Sequence, residues 1–200
     1  MSEQPRRYLI VGPSWVGDMV MAQSLFITLK KLYPDCIIDV VAPEWSLPIL
    51  ERMPQVNRGI ALAVKHGEFS LLKRIKTGLS LREKGYTHSI ILPRSWKSAL
   101  VPFFARAKTR TGYRGEMRYG LLNDIRQLDK NILKQTVQRY VAHAYEADLN
   151  QAPEIPFPEL EVDTGNRERL IKKLGLDMSR PVIAMMPGAE YGPAKQWPEK

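Results

Sequence analysis

The sequence of 200 residues contains few of the residues that build disulfide frameworks or metal sites. Its one cysteine, Cys36, begins an apolar run, so we expect a buried thiol without an intramolecular disulfide. The three histidines, His66, His88 and His143, are widely separated, and none has another potential ligand at coordinating spacing. We therefore expect no metal centre and no bound cofactor.

Long hydrophobic segments are absent as well. No window approaches the about 18 uncharged apolar residues of a transmembrane helix, so none is predicted. The N-terminal residues 1–7 are polar and lack the apolar core of a signal peptide. We therefore expect a cytoplasmic location. The hydrophobic fraction of 44% is nevertheless high enough for a folded core in one or two domains.

Apolar runs alternate with amphipathic stretches through the first 150 residues. This alternation predicts four buried strands, at 8–11, 36–42, 58–64 and 88–92. It predicts a first helix that ends at Pro34 and carries an apolar stripe of Ala22, Leu25, Leu29 and Leu32. Further helices are predicted at 45–53, 69–84, 96–105 and 134–149. Because continuous apolar strands separated by helices are typical of a parallel sheet covered on both faces, we predict an α/β, Rossmann-like domain over residues 1–150.

The same pattern restarts after a proline-rich segment. Residues 151–163 begin with QAPEIPFPEL, whose three prolines predict an extended linker. An amphipathic helix at 164–174, with Thr164 as its cap, and a buried strand at 181–186 follow. They predict the start of a second α/β domain over residues 164–200. Because one strand cannot form a core, we expect this second domain to be truncated.

The turn between the first strand and its helix carries an acid, Asp18, where open α/β sheets bind ligands. Gly12 and Gly17 have the spacing of the two glycines in a P-loop, but Asp18 stands where that loop has its phosphate-binding lysine. Ser14 replaces the second glycine of the dinucleotide fingerprint, so dinucleotide binding is not predicted. Asp18 then either caps the N-terminus of the helix, or acts in catalysis, for example as a general base, or does both.

Positive charge is concentrated in one part of the chain. The net charge is +9, and residues 94–139 contain eleven Lys and Arg against three acidic residues. The richest stretch, RTGYRGEMRYGLLND at 110–124, is predicted to be a loop that presents guanidinium groups. A solvated surface and a single-strand nucleic-acid site are the alternatives. Since no nucleic-acid-binding motif is present, and since Arg94 and Lys97 share the sheet edge of Asp18, a small or lipid-linked anionic acceptor is the favoured ligand.

Three long stretches of the sequence resemble the bacterial lipopolysaccharide heptosyltransferases of glycosyltransferase family 9. They are GPSWVGDMVMAQSL (12–25), LPRSWKSALVPFFARAKTRTGYRGEMRYGLLND (92–124) and MPGAEYGPAKQWP (186–198). The resemblance covers essentially the whole chain but only the first part of the family's length. It implies the two-domain GT-B architecture, in which the N-terminal domain receives the acceptor and the C-terminal domain binds ADP-heptose.

The resemblance also implies a reaction. This is the inverting, single-displacement transfer of L-glycero-D-manno-heptose from ADP-heptose, without an obligatory metal, to the first heptose of the Kdo–lipid A inner core. The family's acid in the first turn falls on Asp18, which would be the general base. Its lysine in the first loop of the second domain falls on Lys195, which would stabilise charge on the departing diphosphate. Because most of the family's nucleotide site has no counterpart here, we expect the chain to be inactive alone.

Candidate acceptor-binding residues follow from the same matched stretches. Ser14, Trp15 and Gly17 would shape the cleft around Asp18. We expect the basic residues of the central stretch to bind Kdo carboxylates or core phosphates; these are Arg94, Lys97, Arg110, Arg114 and Arg118. The lipid-anchored acceptor implies peripheral attachment to the inner face of the cytoplasmic membrane. A non-catalytic module that binds anionic lipid or acceptor is the alternative function, and nucleic-acid binding is a weaker one.

Overall fold

The computed structural model describes residues 5–63, 70–146, 149–188, 194, 196 and 197. The chain divides into two compact units, Met1–Glu161 and Val162–Lys200. The first unit contains the sheet, and the described residues of the second contain one helix. No helix in these described ranges is both long enough and apolar enough to cross a membrane.

The described part of the first unit is built on a six-stranded sheet in which all neighbouring strands run parallel. The strands are β1 (Arg7–Val11), β2 (Ile37–Ala42), β3 (Arg58–Ala61), β4 (His88–Ile91), β5 (Thr109–Tyr113) and β6 (Asp124–Arg126). Their spatial order is β3-β2-β1-β4-β5-β6. The carboxyl ends of β1 and β4 therefore form a topological switch point, the place where such sheets bind ligands. The predicted α/β parallel sheet is confirmed.

Helices cover both faces of the sheet, which is also as predicted. They are α1 (Val16–Leu32), α2 (Leu47–Leu50), α3 (Leu71–Ser80), α4 (Leu100–Phe104) and α5 (Thr136–Ala142). On one face, Tyr8 and Ile10 of β1 belong to a core shared with α1 and α2. On the other face, Leu9 of β1 packs with Val101 of α4 and with Leu81 just after α3. Because successive side chains of β1 enter two different cores, its apolar run is continuous and not alternating.

The helix α1 is buried on more sides than its apolar stripe predicts. Three residues of the predicted stripe are buried, but the fourth, Leu32, is exposed because it is the last residue of the helix. Ser24, which lies outside the stripe, is buried. Its hydroxyl donates a hydrogen bond to the carbonyl of Pro156 at 2.7 Å. Residues 151–161 of the proline-rich segment are thus part of the first unit and are hydrogen-bonded to α1 through Pro156.

The strands β5 and β6 differ from the prediction of a loop over residues 110–124. The sequence of β5, TRTGY, contains no apolar run, yet Thr111 and Tyr113 are buried. The strand forms because β4 offers an edge, with Ser89 of β4 opposite Arg110 and Ile90 opposite Thr111. Strand formation here depends on pairing with a neighbour and not on local propensity.

Several predicted helices are shorter in the structure. The stretch predicted at 45–53 forms a 3-10 turn at Glu44–Ser46 and then α2. The stretch predicted at 96–105 forms a 3-10 turn at Trp96–Ala99 and then α4. The stretch predicted at 134–149 is helical only at α5, with residues 147 and 148 outside the described part of the chain. β3 ends at Ala61, and residues 64 and 69, the predicted ends of neighbouring elements, also lie outside the described part.

The second unit contains α6 (Thr164–Leu174) in its described part. The helix is where the sequence predicts it, but its N-cap is Asp163 and not Thr164: the Asp163 carboxylate accepts a hydrogen bond from the Asn166 amide at 2.9 Å. The prediction of a strand at 181–186 is wrong, since residues 181–188 have no regular secondary structure and are exposed. An extended segment becomes a strand only by pairing, and the described residues of this unit contain no strand to pair with it.

A buried histidine lies between the end of α5 and the sheet. The His143 ring packs against the Tyr113 ring, with 4.3 Å between the ring centroids. Burial, reinforced by the positive charge of Arg126, lowers the pKa of His143 to about 3. The unfolded chain takes up a proton near the ordinary pKa of 6.5, whereas the folded chain does not. The contribution of the neutral His143 to the free energy of unfolding is therefore fully present above about pH 6.5. It is lost progressively as the pH falls below 6.5 towards the pKa of the folded state, about 3.

We predict that His143→Gln removes part of the acid sensitivity. Between about pH 8 and pH 5, the wild-type free energy of unfolding should fall by about 2 kcal/mol more than that of the variant. Urea unfolding at the two pH values measures this difference. Burial also lowers the pKa of His88, but that residue is present in both proteins and cancels in the comparison. Equal pH dependence in the two proteins would contradict the prediction.

Candidate functional site

Asp18 lies in the first turn of α1, directly beyond the carboxyl end of β1. The N-cap of α1 is Trp15, whose backbone is extended, so the prediction that Asp18 is itself the N-cap is wrong. The helix begins at Val16, three residues earlier than a cap at position 18 requires. Asp18 is half-buried and forms no hydrogen bond or ion pair with the described residues. A negative charge in this turn is stabilised by the helix dipole.

The first turn of α1 is open at Gly17, and α5 packs against the same helix. A Cβ atom built on Gly17 would meet nothing within 4 Å outside its own helix turn, so the surface at this residue is not covered. Tyr140 of α5 lies within electrostatic range of Asp18: burial, and then the Asp18 charge, raise the pKa of Tyr140 to about 12. The Tyr140 hydroxyl is therefore neutral at physiological pH and can act as a hydrogen-bond donor near Asp18.

Two exposed tryptophans lie beside the loop that precedes α1. The Trp45 indole, in the turn after β2, donates a hydrogen bond to the carbonyl of Ser14 at 2.9 Å. Trp15 and Trp45 are 44% and 46% exposed, although tryptophan is on average a highly buried residue. The predicted site residues Ser14, Trp15 and Gly17 are therefore next to Asp18, and the loop after β2 adds an aromatic side chain to them.

The loops after β4 and β5 are hydrogen-bonded into one block. The Arg94 guanidinium donates to the carbonyl of Arg114 at 3.0 Å, and the Trp96 amide donates to the Glu116 carboxylate at 2.9 Å. Gly115 allows the close approach, because a Cβ there would lie 2.4 Å from the Arg94 carbonyl oxygen. The carboxyl-edge loops of these two strands are therefore fixed relative to each other.

Arg118 holds this block from the inside. It is 2% exposed, and its guanidinium donates to the carbonyl of Pro93 at 2.8 Å and to the carbonyl of Tyr113. Burial, and then the nearby charge of Arg94, lower its pKa. A guanidinium that is enclosed and engaged in this way stabilises the loops and has no surface free for a ligand.

Arg110, the second residue of β5, also has its guanidinium bound to backbone carbonyls. Its guanidinium donates to the carbonyls of Leu121 and Ala107, both at 2.7 Å, and lies beside the Phe103 ring. Burial lowers its pKa. These contacts brace the connection between β5 and β6. Of the predicted basic acceptor residues, Arg110 and Arg118 therefore have their guanidinium groups bound to backbone.

Arg94 and Arg114 line an open cavity of about 400 Å³, and the Arg94 guanidinium does so while it donates one hydrogen bond to the Arg114 carbonyl. We call it the basic cavity; it is lined by Arg94, Arg114, Gly115, Gln127, Leu128 and Lys130. The side chains of Arg114 and Lys130 form no hydrogen bond or ion pair with the described residues. Three cations around one cavity favour a carboxylate or phosphate ligand. Because its residues follow the carboxyl ends of β4, β5 and β6, the basic cavity lies on the same sheet edge as Asp18.

The other two predicted site residues contribute less to this geometry. Lys97 is half-buried in the turn after β4 and is not among the residues that line the basic cavity. Lys195 lies outside the described residues. Within the described part of the chain, no group of three or more His, Cys, Asp or Glu is placed to hold a metal ion.

Sequence reasoning missed Trp45, Lys130 and Tyr140. Trp45 had a usable signal, because it comes soon after the second predicted strand and open α/β sheets bind ligands at the carboxyl ends of their strands. Lys130 lies within the basic segment but was not distinguished from its other cations. Tyr140 had no signal, since only the packing of α5 against α1 brings it near Asp18.

Comparison with known proteins connects this arrangement to a family. Residues 74–200 match glycosyltransferase family 9 (heptosyltransferase). Lipopolysaccharide heptosyltransferase 2 of Escherichia coli K12 is 50% identical over 197 residues, which are 96% of this chain and 57% of that protein. Lipooligosaccharide heptosyltransferase 2 of Haemophilus influenzae is 49% identical over 197 residues, covering 95% and 56%.

Solved structures give the same result. The structure of E. coli ADP-heptose lps heptosyltransferase II has a TM-score of 0.81 and 48% identity, and it covers 96% of this chain and 57% of its own. A family 9 glycosyltransferase from Veillonella parvula DSM 2008, at 17% identity, shares the fold with a TM-score of 0.77 over 99% of this chain and 58% of its own. The chain thus spans a little over half the length of these relatives. On its sequence and its fold, the chain belongs to glycosyltransferase family 9.

Proposed function

We propose that this chain supplies the acceptor half of an inverting glycosyltransferase that moves L-glycero-D-manno-heptose from ADP-heptose to the first heptose of the Kdo–lipid A inner core. One observation carries the proposal: the half-buried Asp18 carboxylate, which forms no hydrogen bond or ion pair with the described residues, lies on the sheet edge that also holds the basic cavity. The similarity to lipopolysaccharide heptosyltransferase 2 over almost the whole chain supports the donor and acceptor classes.

In the proposed mechanism, Asp18 is the general base. It takes the proton of the acceptor hydroxyl as that oxygen attacks the anomeric carbon of the donor heptose. The bond between the anomeric carbon and the diphosphate oxygen breaks on the opposite side, ADP leaves with the bonding electron pair, and the configuration inverts. Lys195 is proposed to stabilise the charge on the leaving diphosphate, so that no metal ion is required.

The acceptor is proposed to lie along the carboxyl edge of the sheet. Arg94, Arg114 and Lys130 would bind its carboxylates or phosphates, and the exposed rings of Trp15 and Trp45 would pack against apolar sugar faces. Ser14, in the loop before α1, and Gly17, in the first turn of α1, would shape the cleft beside Asp18, and Lys97 would add positive charge to the same edge. We assign Arg110 and Arg118 the structural task of holding the loops that carry this site.

Transfer is proposed to need the nucleotide-binding part that these 200 residues do not supply. Purified chain alone should therefore not transfer heptose from ADP-heptose. A chimera of residues 1–200 with the remaining C-terminal part of E. coli lipopolysaccharide heptosyltransferase 2 should transfer it. Activity of the isolated chain would contradict the first statement. A folded chimera that binds ADP-heptose but transfers to no heptosyl-Kdo acceptor would contradict the proposed function.

The basic cavity gives a sharper test in that chimera. Arg114→Gln and Lys130→Gln should each raise the KM for a soluble heptosyl-Kdo oligosaccharide about tenfold, since a charge-assisted hydrogen bond contributes roughly 1.5 kcal/mol or more. The KM for ADP-heptose should not change. Lys84→Gln is the matched control, because Lys84 is exposed and precedes β4, which puts it at the opposite, amino edge of the sheet. A rise in the donor KM instead of the acceptor KM would contradict the assignment.

A further inference from the structure

The tip of the β5–β6 loop exposes apolar side chains in a well-defined turn. Met117 is 86% exposed and Tyr119 is 62% exposed, while Arg118 between them is buried. The amides of Leu121 and Leu122 both donate to the Arg118 carbonyl at 3.1 Å, and Leu122 is buried. The same turn therefore buries one apolar side chain and places two others in solvent. With Arg118 fixing the loop, this exposure is a property of the fold.

Positive charge lies next to this tip. Arg114 and Gly115 line both the basic cavity and a small depression that also contains Tyr119 and Ile125. The loop between β5 and β6 contains one acidic residue, Glu116, and its carboxylate accepts the Trp96 amide. The surface thus combines apolar side chains with unpaired cations, the combination that binds anionic lipid surfaces.

We propose that Met117 and Tyr119 insert into the headgroup region of an anionic bilayer, which the positive charges of Arg114 and Lys130 in the neighbouring basic cavity attract. This inference rests on the proposed function in one respect: a lipid-linked acceptor explains why the edge that carries Asp18 should meet a membrane. Tyrosine is suited to this interface because its ring is apolar and its hydroxyl stays in contact with water. The loop would set the height of the basic cavity above the bilayer and so orient the site towards lipid-linked sugars.

A second copy of the chain fits this surface less well. In a symmetric dimer the same patch would meet itself, which brings Arg114 and Lys130 of one chain towards the same cations of the other. The patch also has few apolar side chains for the core of a protein interface. Lipid headgroups demand neither shape complementarity nor a large apolar area, so the charge pattern favours the bilayer.

Vesicle sedimentation of the purified 200-residue chain tests the proposal. The chain should bind vesicles of phosphatidylethanolamine and phosphatidylglycerol more strongly than vesicles of phosphatidylcholine alone. The double variant Met117→Ser/Tyr119→Ser should lower the partition coefficient about tenfold or more, since each apolar side chain contributes to burial. The matched control is Leu72→Ser, because Leu72 is 71% exposed on α3, outside the patch. Binding that the double variant leaves unchanged, or equal losses in both variants, would overturn the proposal.

Two further measurements distinguish the bilayer from a second chain or a sugar as the ligand of this loop. They also distinguish a failure of the membrane proposal from a failure of the proposed function. If sedimentation velocity shows a dimer that the double variant abolishes, the patch is a protein interface and the bilayer assignment fails. In the chimera, the double variant should leave transfer to a soluble heptosyl-Kdo oligosaccharide unchanged; a loss there would show that the loop binds sugar, and would also overturn the assignment. Vesicle binding by a chimera that transfers no heptose would support the membrane surface and contradict the proposed function.

Discussion

Replacing Asp18 by Asn in the chimera should lower kcat by about 10²–10⁴-fold, the usual contribution of a general base. The amide has nearly the same size and can occupy the same place in the first turn of α1, but it cannot take a proton from the acceptor hydroxyl. The KM values for donor and acceptor should change little, because the basic cavity and the tryptophans are untouched. Steady-state kinetics with a soluble heptosyl-Kdo oligosaccharide measure both quantities.

Asp35→Asn is the control for this experiment. Asp35 is an exposed acid just beyond the other end of α1, so its loss removes the same charge without touching the site. Asp18→Asn should cost at most about 1 kcal/mol of folding stability, the size of a lost interaction with the helix dipole. Thermal unfolding will show whether a fall in rate reflects chemistry or unfolding. A kcat within a few-fold of the wild type would show that another group takes the proton.

Replacing Arg118 by Met should destabilise the fold by about 2–4 kcal/mol, because the carbonyls of Pro93 and Tyr113 both lose the guanidinium donor and the Pro93 carbonyl keeps the longer bond from the Ser98 hydroxyl at 3.2 Å. Arg114→Met is the matched comparison, since Arg114 lies in the same loop but is exposed. It should change the free energy of unfolding by no more than about 0.5 kcal/mol. Urea unfolding of the purified chain, followed by circular dichroism, measures both variants.

The two arginines should also differ in the kinetic assay. Arg114→Gln should raise the acceptor KM, whereas Arg118→Lys should lower stability and leave the acceptor KM of the remaining folded chimera close to the wild type. Lysine presents one ammonium group and cannot reproduce the fork that reaches both carbonyls. If Arg118→Met left stability unchanged and raised the acceptor KM, Arg118 would be a ligand-binding residue and its structural assignment would be wrong.

The fold followed from the sequence wherever local pattern and burial agree. The apolar runs of β1, β2 and β4, separated by helical stretches, predicted the parallel sheet correctly because buried strands of this kind need no alternation. The position of Asp18 in the first turn of α1 followed from the glycine turn after a buried strand. The polar strands β5 and β6 did not follow, since an available edge and not their own composition makes them strands.

The candidate site, like the fold, was predictable only where it depends on local sequence. Sequence identified Asp18 and a basic segment on one sheet edge, because the carboxyl ends of parallel strands must meet there. It could not distinguish Arg114 from Arg118, which are four residues apart, of the same type, and respectively exposed and 2% exposed. That difference depends on the carbonyls of Pro93 and Tyr113, which come close to Arg118 only when the loops after β4 and β5 pack together.

Asp39 shows most clearly that the sequence does not reveal the partners of a buried polar group. It lies in the apolar run of β2 and is buried, where its carboxylate accepts hydrogen bonds from Tyr86 at 2.6 Å and Asn57 at 2.7 Å.

The sequence by itself determined the strand–helix alternation, the acid after β1 and the side of the sheet that carries charge, since these depend on residue type and spacing. Tertiary structure alone decided which polar groups are enclosed and which remain free to bind, since the partners of a buried donor or acceptor come from distant parts of the chain.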